Sequence, residues 1–162
     1  MNRELLLLAI EKNGRIDYKE LADIVDVDVD SVKREVDLLI KDNIICGFNA
    51  VIDWNRFSNE KVKAIIEVSA KPTKDYGYDE VASKIMLFDE VEDLYLVSGK
   101  SEFMVVVNGK SMKEVASFVS SKLAPIQGVS STVTSFVLNT YKINSVKMSC
   151  SLNNHKRLLV SP

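Results

Sequence analysis

The chain has 162 residues, of which 46% are hydrophobic and 27% charged, with a net charge of −2. This balance is typical of a folded globular protein and excludes a disordered chain. No apolar run approaches the roughly 20 residues of a membrane span, and the run from Leu5 to Ile10 is too short for a signal peptide core. We therefore expect a cytoplasmic protein without a membrane partner.

The charges are unevenly distributed along the sequence. Residues 1–60 contain eight Lys/Arg and thirteen Asp/Glu, a net −5, and the remaining residues carry +3. Domains that bind nucleic acid are usually basic, because neutralising phosphates releases counterions. The acidic first part of the chain therefore opposes a nucleic-acid partner.

The first helix is predicted over residues 3–13. Leu5, Leu8 and Ala9 are predicted on its apolar face, and Gly14 is predicted as its C-terminal cap. The two cysteines of the chain are too few and too far apart for a metal site or a disulfide framework. We expect no metal and no cofactor.

Two further helices follow, each with an acidic N-cap. Asp17 is followed three residues later by Glu20, which resembles a capping box, and Asp28 caps the third helix. The apolar residues of the third helix recur at helical spacing: Val29, Val32, Val36 and Leu39. Asn43 is predicted to end this helix in the left-handed conformation.

The segment Ile44–Ile52 is predicted to be a β-wing. Three short helices and a wing indicate a winged helix-turn-helix over residues 1–53, whose third helix would enter the DNA major groove. Residues 54–61 are polar without strong periodicity and are predicted to be a linker.

The second domain is predicted over residues 62–143. Apolar positions alternate from Val62 to Val68, which indicates a strand, and a helix is predicted over residues 78–88 with Met86 facing inward. A hairpin is predicted from two runs, Leu94–Val97 and Phe103–Val107. Ser111 and Glu114 form a capping box for a helix with these residues on its inward face: Met112, Val115, Ala116, Val119 and Leu123.

A last strand is predicted over residues 129–138. The resulting β-α-β-β-α-β order is that of a ferredoxin-like domain, so the fold class is α+β. Residues 144–162 are predicted to be a polar tail. The run Phe103–Val107 has no polar alternation, so its strand should be covered on both faces, and a second copy of the chain is the simplest cover.

Two motifs in the second domain carry a family resemblance. The turn Gly99-Lys100-Ser101-Glu102 and the stretch from Gly128 to Thr134 resemble the effector-binding domain of the Lrp/AsnC, or feast/famine, transcription regulators. The first domain is similar to the family pattern at Gly14–Asp17, Leu21-Ala22 and Ile44–Phe48. The resemblance implies double-stranded DNA and a small-molecule effector, such as an amino acid, as partners. It also implies a homodimer through the sheet that can assemble into octamers.

The resemblance points to two groups of site residues. The candidate DNA contacts lie at the start of the second helix and on the third: Arg15, Lys19, Ser31, Lys33 and Arg34. The candidate effector contacts lie in the hairpin turn and the last strand: Ser98, Gly99, Lys100, Ser101, Glu102, Thr132 and Thr134. Turn amides can bind a carboxylate, and an acidic side chain can bind an ammonium group.

The third helix departs from the family pattern. Where the family usually has an Arg before the buried Val36, this chain has Glu35, which would set a carboxylate against DNA phosphates. Between Asp28 and Asp42 there are three basic and five acidic residues.

Other interpretations remain open at each site. Lys33 and Arg34 are also what a solvated helix face would carry, and Gly99 could merely supply a positive φ for the hairpin. The alternative function is a metabolite-binding or scaffolding oligomer whose first domain has lost DNA affinity. An enzyme is not expected, since the chain has a single His, in its tail, and no recognisable catalytic motif.

Overall fold

The computed structural model describes residues 1–57, 61–72, 74 and 77–148. The chain divides after Ile52 into two compact units. The first unit holds three helices: α1 (Arg3–Lys12), α2 (Tyr18–Val25) and α3 (Val29–Lys41). The second begins with a short 3-10 turn (Trp54–Phe57), and residues 58–60 of the predicted linker lie outside the described residues.

The predicted caps of α2 and α3 are confirmed. Asp17 Oδ1 accepts a hydrogen bond from the N–H of Glu20, and Asp28 Oδ1 accepts one from the N–H of Ser31. Asn43 has the expected positive φ, of 55°. The residues of α3 that the helical spacing predicts in the core, Val32, Val36 and Leu39, are buried.

The predicted apolar face of α1 is wrong. Leu6 and Ile10 are buried, whereas Leu5 and Leu8 are 40% and 55% exposed. Leucine occupies four consecutive positions here, so periodicity does not identify the inward face. Gly14 is not the cap either: the C-terminal cap is Asn13, whose backbone N–H donates to the carbonyl of Ala9.

The predicted wing is not a strand in this structure. Residues 44–52 are irregular throughout. The backbone N–H groups of Ile44 and Ile45 both donate to the carbonyl of Leu39 and so close the end of α3. The helix-turn-helix is therefore present, and the segment after it has strand-like composition but no neighbouring strand within its unit.

The second unit has the predicted β-α-β-β-α-β order. Its elements are β1 (Val62–Ala70), α4 (Asp79–Ile85), β2 (Val91–Leu96), β3 (Phe103–Gly109), α5 (Met112–Phe118) and β4 (Val129–Phe136). The four strands form an antiparallel sheet in the order β2-β3-β1-β4. This order confirms the ferredoxin-like α+β prediction.

The core of this unit lies between the sheet and its helices. Alternate residues of β1 and β3 face it, among them Ile66, Val68, Phe103 and Val105, each at most 1% exposed. The other side of the sheet, which we call the outer sheet face, carries apolar side chains from all four strands among polar ones such as Glu67, Asp93 and Ser135. The apolar residues on it include Ile65, Tyr95, Met104, Val106 and Val133.

Three details of the second unit differ from the sequence prediction. Met86 follows the last residue of α4 and is 67% exposed instead of buried. Met112 is 56% exposed and Ala116 is exposed, whereas Phe118 is buried. A π-helical turn (Val119–Leu123) continues α5. Because this turn is wider than an α-helical one, the next fully buried residue after Phe118 is Leu123, five positions on.

A small hairpin spans the predicted end of the second domain. Its strands are β5 (Lys142–Ile143) and β6 (Val146–Lys147), joined by Asn144 and Ser145, both at positive φ. The first residues of the predicted tail therefore form a hairpin turn and strand, and residues 149–162 lie outside the described residues.

Candidate functional site

The N-terminal end of α3 is held by a compact polar network. Asp28 Oδ2 accepts a hydrogen bond from the hydroxyl of Ser31 at 2.6 Å, in addition to the backbone bond at Oδ1. Ser31 Oγ in turn accepts from Arg34 Nη2 at 3.0 Å. The hydrogen bonds from the Ser31 hydroxyl and N–H hold the pKa of Asp28 below its ordinary value. Ser31 therefore anchors the cap and orients Arg34.

The outward face of α3 carries the predicted basic residues. Lys33 and Arg34 point away from the core residues of α3, and Lys41 is exposed near its end. The side chain of Lys33 is 51% exposed, and its Nζ lies 3.7 Å from Asp30 Oδ1. An exposed pair of this kind contributes little stability, so the ammonium group remains available to another anion.

Glu35 does not share that outward face. Its Oε1 lies 2.6 Å from Nε of Arg3 on α1, and its side chain is only 12% exposed. The N–H is not aligned on the oxygen as a hydrogen bond requires, so the contact is an ion pair without a directed hydrogen bond. Contrary to the sequence-based expectation, this carboxylate is turned toward α1 and is neutralised there.

The remaining candidate DNA contacts lie before and within α2. Arg15 is exposed in the turn that precedes the helix, and its backbone N–H donates to Asn13 Oδ1 at 3.1 Å. Lys19 is exposed in the first turn of α2. Within the described residues neither side chain is in an ion pair with an acid.

The predicted effector turn connects β2 and β3. Its first residues, Ser98 to Lys100, are exposed, and Ser101 is 9% exposed. Glu102 Oε2 accepts a hydrogen bond at 2.8 Å from the backbone N–H of Ala70, at the point where the ladder between β1 and β4 shifts register. Glu102 is therefore partly buried and already bound to the protein's own backbone.

The two glycines of this region have different roles. Gly99 does not have a positive φ, and a Cβ built on it would meet nothing within 4 Å. It is thus not needed to form the hairpin. Gly128 has φ of 100°, and a Cβ there would lie 2.9 Å from Val81 Cγ2. Only Gly128 is required by the backbone and the packing.

The strand register places the two predicted threonines in successive rows on the same side of the sheet. Thr132 and Phe103 both pair with Val68, so Thr132 lies in the row of residues next to Glu102. Thr134 pairs with Ile66, two residues further along the strand. Both threonines are half-buried on the side of the sheet that faces the helices.

The structure adds three polar residues that the sequence did not indicate. Ser69 Oγ and Glu67 Oε2 each lie 3.4 Å from the hydroxyl of Ser101, and Ser130 Oγ donates to the carbonyl of Ser69 at 3.0 Å. These residues are about 30 to 60 positions apart in sequence. Only the pairing of β1 with both β3 and β4 brings them together, and no linear motif signals it.

A surface groove of about 480 Å³ lies elsewhere in the second unit, between α5 and the start of β2. Lys110, Lys113, Glu114 and Lys122 are among its lining residues, and none of the predicted effector contacts lines it. In the described part of the chain, no helix is long and apolar enough to cross a membrane, and no cluster of His, Cys, Asp or Glu could hold a metal ion.

Comparison with known proteins identifies the family. Residues 63–146, just over half of the chain, match the model of the Lrp/AsnC ligand binding domain. The chain belongs to the Lrp/AsnC family. An uncharacterized HTH-type transcriptional regulator of Bacillus subtilis, YugG, is 39% identical over 97% of this chain and 95% of its own length. The HTH-type transcriptional regulator LrpA of Pyrococcus abyssi is 29% identical over 86% of this chain and 96% of its own.

A solved structure agrees with this assignment of the Lrp/AsnC fold. The feast or famine regulatory protein from M. tuberculosis, complexed with L-methionine, superimposes with a TM-score of 0.69 at 20% identity. The alignment covers 86% of this chain and 92% of that one. The resemblance inferred from the sequence is confirmed.

Proposed function

We propose that this Lrp/AsnC chain is a DNA-binding transcription regulator that acts as a homo-oligomer and responds to a small metabolite. The observation that carries the proposal is the outward face of α3. A capped helix presents Lys33 and Arg34 there, with Arg34 oriented by Ser31. The third helix of a helix-turn-helix is the element that enters the major groove.

The structure reduces the electrostatic objection to DNA binding. Of the five acids between Asp28 and Asp42, Asp28 is occupied as the helix cap and Glu35 is paired with Arg3. Asp30 and Asp37 remain on the exposed face beside the basic residues. We expect modest affinity for each pair of helix-turn-helix units, strengthened when several units of one oligomer engage the same duplex.

The outer sheet face supports the proposed homodimer. On this face Val133 is 56% exposed, Tyr95 51% and Met104 36%. Tyr95 and Met104 adjoin Val106 and Ile65 across β2, β3 and β1, and an exposed apolar patch of this kind is typical of a surface covered by another protein layer. A second copy with the same face supplies that layer in a symmetric dimer, and such dimers can assemble further into octamers.

The turn between β2 and β3 is the proposed effector site. Its exposed residues Ser98 to Lys100 adjoin the polar cluster around Ser101 and Glu102. A relative of this fold is complexed with L-methionine, and we propose an amino acid or a related metabolite as the effector here. Binding would bias the assembly or the spacing of the helix-turn-helix units as a population shift.

The proposal includes a cytoplasmic location, where a regulator meets the chromosome, and no enzymatic activity. It competes with the alternative that the first unit has lost its affinity for DNA and the oligomer acts as a metabolite-binding or scaffolding protein.

Binding to duplex DNA separates these two functions. Duplexes enriched from a random pool by the full chain should bind with a marked dependence on salt, and Lys33→Ala with Arg34→Ala should remove that binding. A matched control, Lys110→Ala with Lys113→Ala, makes the same charge change on the second unit. Salt-independent or absent binding by the wild type would establish the alternative.

A further inference from the structure

Arg3 is an exposed cation that α1 brings to the edge of α3. Its Nε meets Glu35, yet 61% of its side chain remains exposed. A guanidinium group has five N–H donors in a fixed planar arrangement. The contact at Nε therefore leaves the other donors of Arg3 for a second acceptor.

A second guanidinium group is anchored on the same edge of α3. Arg34 Nη2 donates to Ser31, which lies one helical turn before Glu35. Residues four apart on a helix are neighbours, with about 5–6 Å between their Cβ atoms. Ser31 and Glu35 therefore hold two guanidinium groups in a row beside the face that would enter the groove.

We propose that Arg3, held in place by Glu35, is a DNA-phosphate contact. Arginine can bind a carboxylate and a phosphate oxygen through different nitrogens at once. In the family pattern an Arg on α3 itself occupies position 35. Here the cation comes from α1 instead, and the carboxylate at position 35 fixes its position. The inference rests on the proposed DNA-binding function, because it presupposes that α3 lies in the groove.

The decisive variant replaces both members of the pair, Arg3→Gln with Glu35→Gln. The net charge of the chain is unchanged and no carboxylate is left unpaired, so neither overall charge nor a buried lone acid complicates the result. The control, Glu11→Gln with Lys12→Gln, makes the same neutral exchange at the exposed far end of α1. Affinity for duplexes selected by the wild type is measured over a series of salt concentrations.

The proposal requires a shallower salt dependence in the Arg3/Glu35 variant. The slope of log affinity against log salt should decrease by about 0.9 per subunit, which corresponds to one phosphate contact, and affinity should fall severalfold for every sequence alike. The Glu11/Lys12 control should keep the wild-type slope. If the wild type binds DNA and the Arg3/Glu35 variant keeps the same slope, the proposed role of Arg3 is overturned and the proposed function is not. A wild type that binds no duplex overturns the proposed function and this inference together.

A second measurement does not depend on the folding of any variant. Phenylglyoxal modifies accessible arginines, and the modified sites can be located by mass spectrometry of the wild-type chain. Bound duplex should protect Arg3 as strongly as Arg34 and leave Arg56, in the second unit, as reactive as before. Equal modification of Arg3 with and without bound DNA would contradict the proposal.

Discussion

The side chain of Glu102 accepts a hydrogen bond from the backbone N–H of Ala70, with 2.8 Å between Oε2 and N. Ala70 lies where the register between β1 and β4 shifts, so its N–H has lost a regular strand partner. A carboxylate that satisfies such a group forms a charge-assisted hydrogen bond. The acid expected from the family resemblance to bind an effector therefore also ties the turn between β2 and β3 to the end of β1.

Replacing Glu102 should accordingly destabilise the protein in the absence of any ligand. Glu102→Ala leaves the partly buried N–H of Ala70 unpaired, and we expect a loss of about 1.5–3 kcal/mol in the free energy of unfolding. Glu102→Gln keeps an acceptor oxygen and should lose less than half of that. Urea denaturation of the two variants tests this, and equal stability of Glu102→Ala and the wild type would show that the bond contributes nothing.

Gly99 allows the effector site to be tested without disturbing the fold. Its backbone does not require glycine and its surroundings leave room for a side chain, so Gly99→Val should keep the wild-type melting temperature. Any amino acid that raises the melting temperature of the wild type by mass action should lose this effect in Gly99→Val, because the added side chain blocks the approach to the turn amides. A panel of amino acids and related acids is screened by thermal shift.

Two results would count against the turn as the effector site. One is the absence of any shift with the whole panel. The other is a shift that Gly99→Val retains in full. A comparison with Gly128→Ala is useful, because that variant should melt at a lower temperature with or without ligand: its φ of 100° and the contact with Val81 disfavour any side chain.

The outer sheet face should hold the homodimer together. Val133→Asp places a carboxylate on this face directly across from Glu67 in the pairing of β1 with β4. Two like charges cannot pair with each other, and burying the new one costs well over the ~1.4 kcal/mol that changes a dissociation constant tenfold. We therefore expect the dimer to weaken at least tenfold in analytical ultracentrifugation. Ala116→Asp, on the exposed side of α5, makes the same kind of change on the helix layer and should assemble normally. Dimers of unchanged strength in Val133→Asp would place the interface elsewhere.

The sequence predicted the elements whose signals are local. Asp17, Asp28 and Ser111 each cap the helix they were expected to cap, because an N-cap involves residues only three apart. The order of the strands and the hairpin of β2 and β3 followed from alternation and from a short turn, whereas the pairing of β1 with β3 and β4 is known only from the structure. The inward face of α1 did not follow, because four consecutive leucines make that segment apolar on every side. The inward face of α5 followed only in part, since Val115 and Leu123 are buried but Met112 and Ala116 are exposed.

For the site residues too, the sequence predicted only what neighbours in the chain determine. Glu102 and Ser101 were found because they lie in one turn, whereas Ser69 and Ser130 join them only through the sheet register. The number of acidic residues in α3 was misleading because a count from sequence assigns Glu35 to the outward surface. Only the packing of α1 against α3 shows that Arg3 neutralises this carboxylate.

The cap of α3 should make stability depend on pH in the acid range. Because hydrogen bonds from Ser31 lower the folded pKa of Asp28 from its ordinary 3.8, the stabilisation is complete above that value and is lost as the pH falls through the lower folded pKa. The stability difference between wild type and Asp28→Ala should therefore shrink as the pH is lowered. Ser31→Ala removes the largest cause of the shift and should weaken this acid dependence. A difference that is constant with pH would contradict the prediction.

Glu35→Arg gives opposite outcomes for the sequence-based and the structural interpretation of α3. If Glu35 faced the DNA, this change would strengthen binding to every duplex by adding a phosphate contact. In the structure it instead sets two guanidinium groups against each other on a flank where the Glu35 side chain is 12% exposed. We expect a loss of stability of about 1–3 kcal/mol, between the values for exposed and for buried ion pairs.

Urea denaturation of Glu35→Arg at low and high salt measures this loss, which should be smaller at high salt, because salt screens like-charge repulsion. Glu35→Gln, which removes the attraction without adding repulsion, should lose less stability and show less dependence on salt. A Glu35→Arg variant that is as stable as the wild type and binds DNA more tightly would show that position 35 faces the duplex after all.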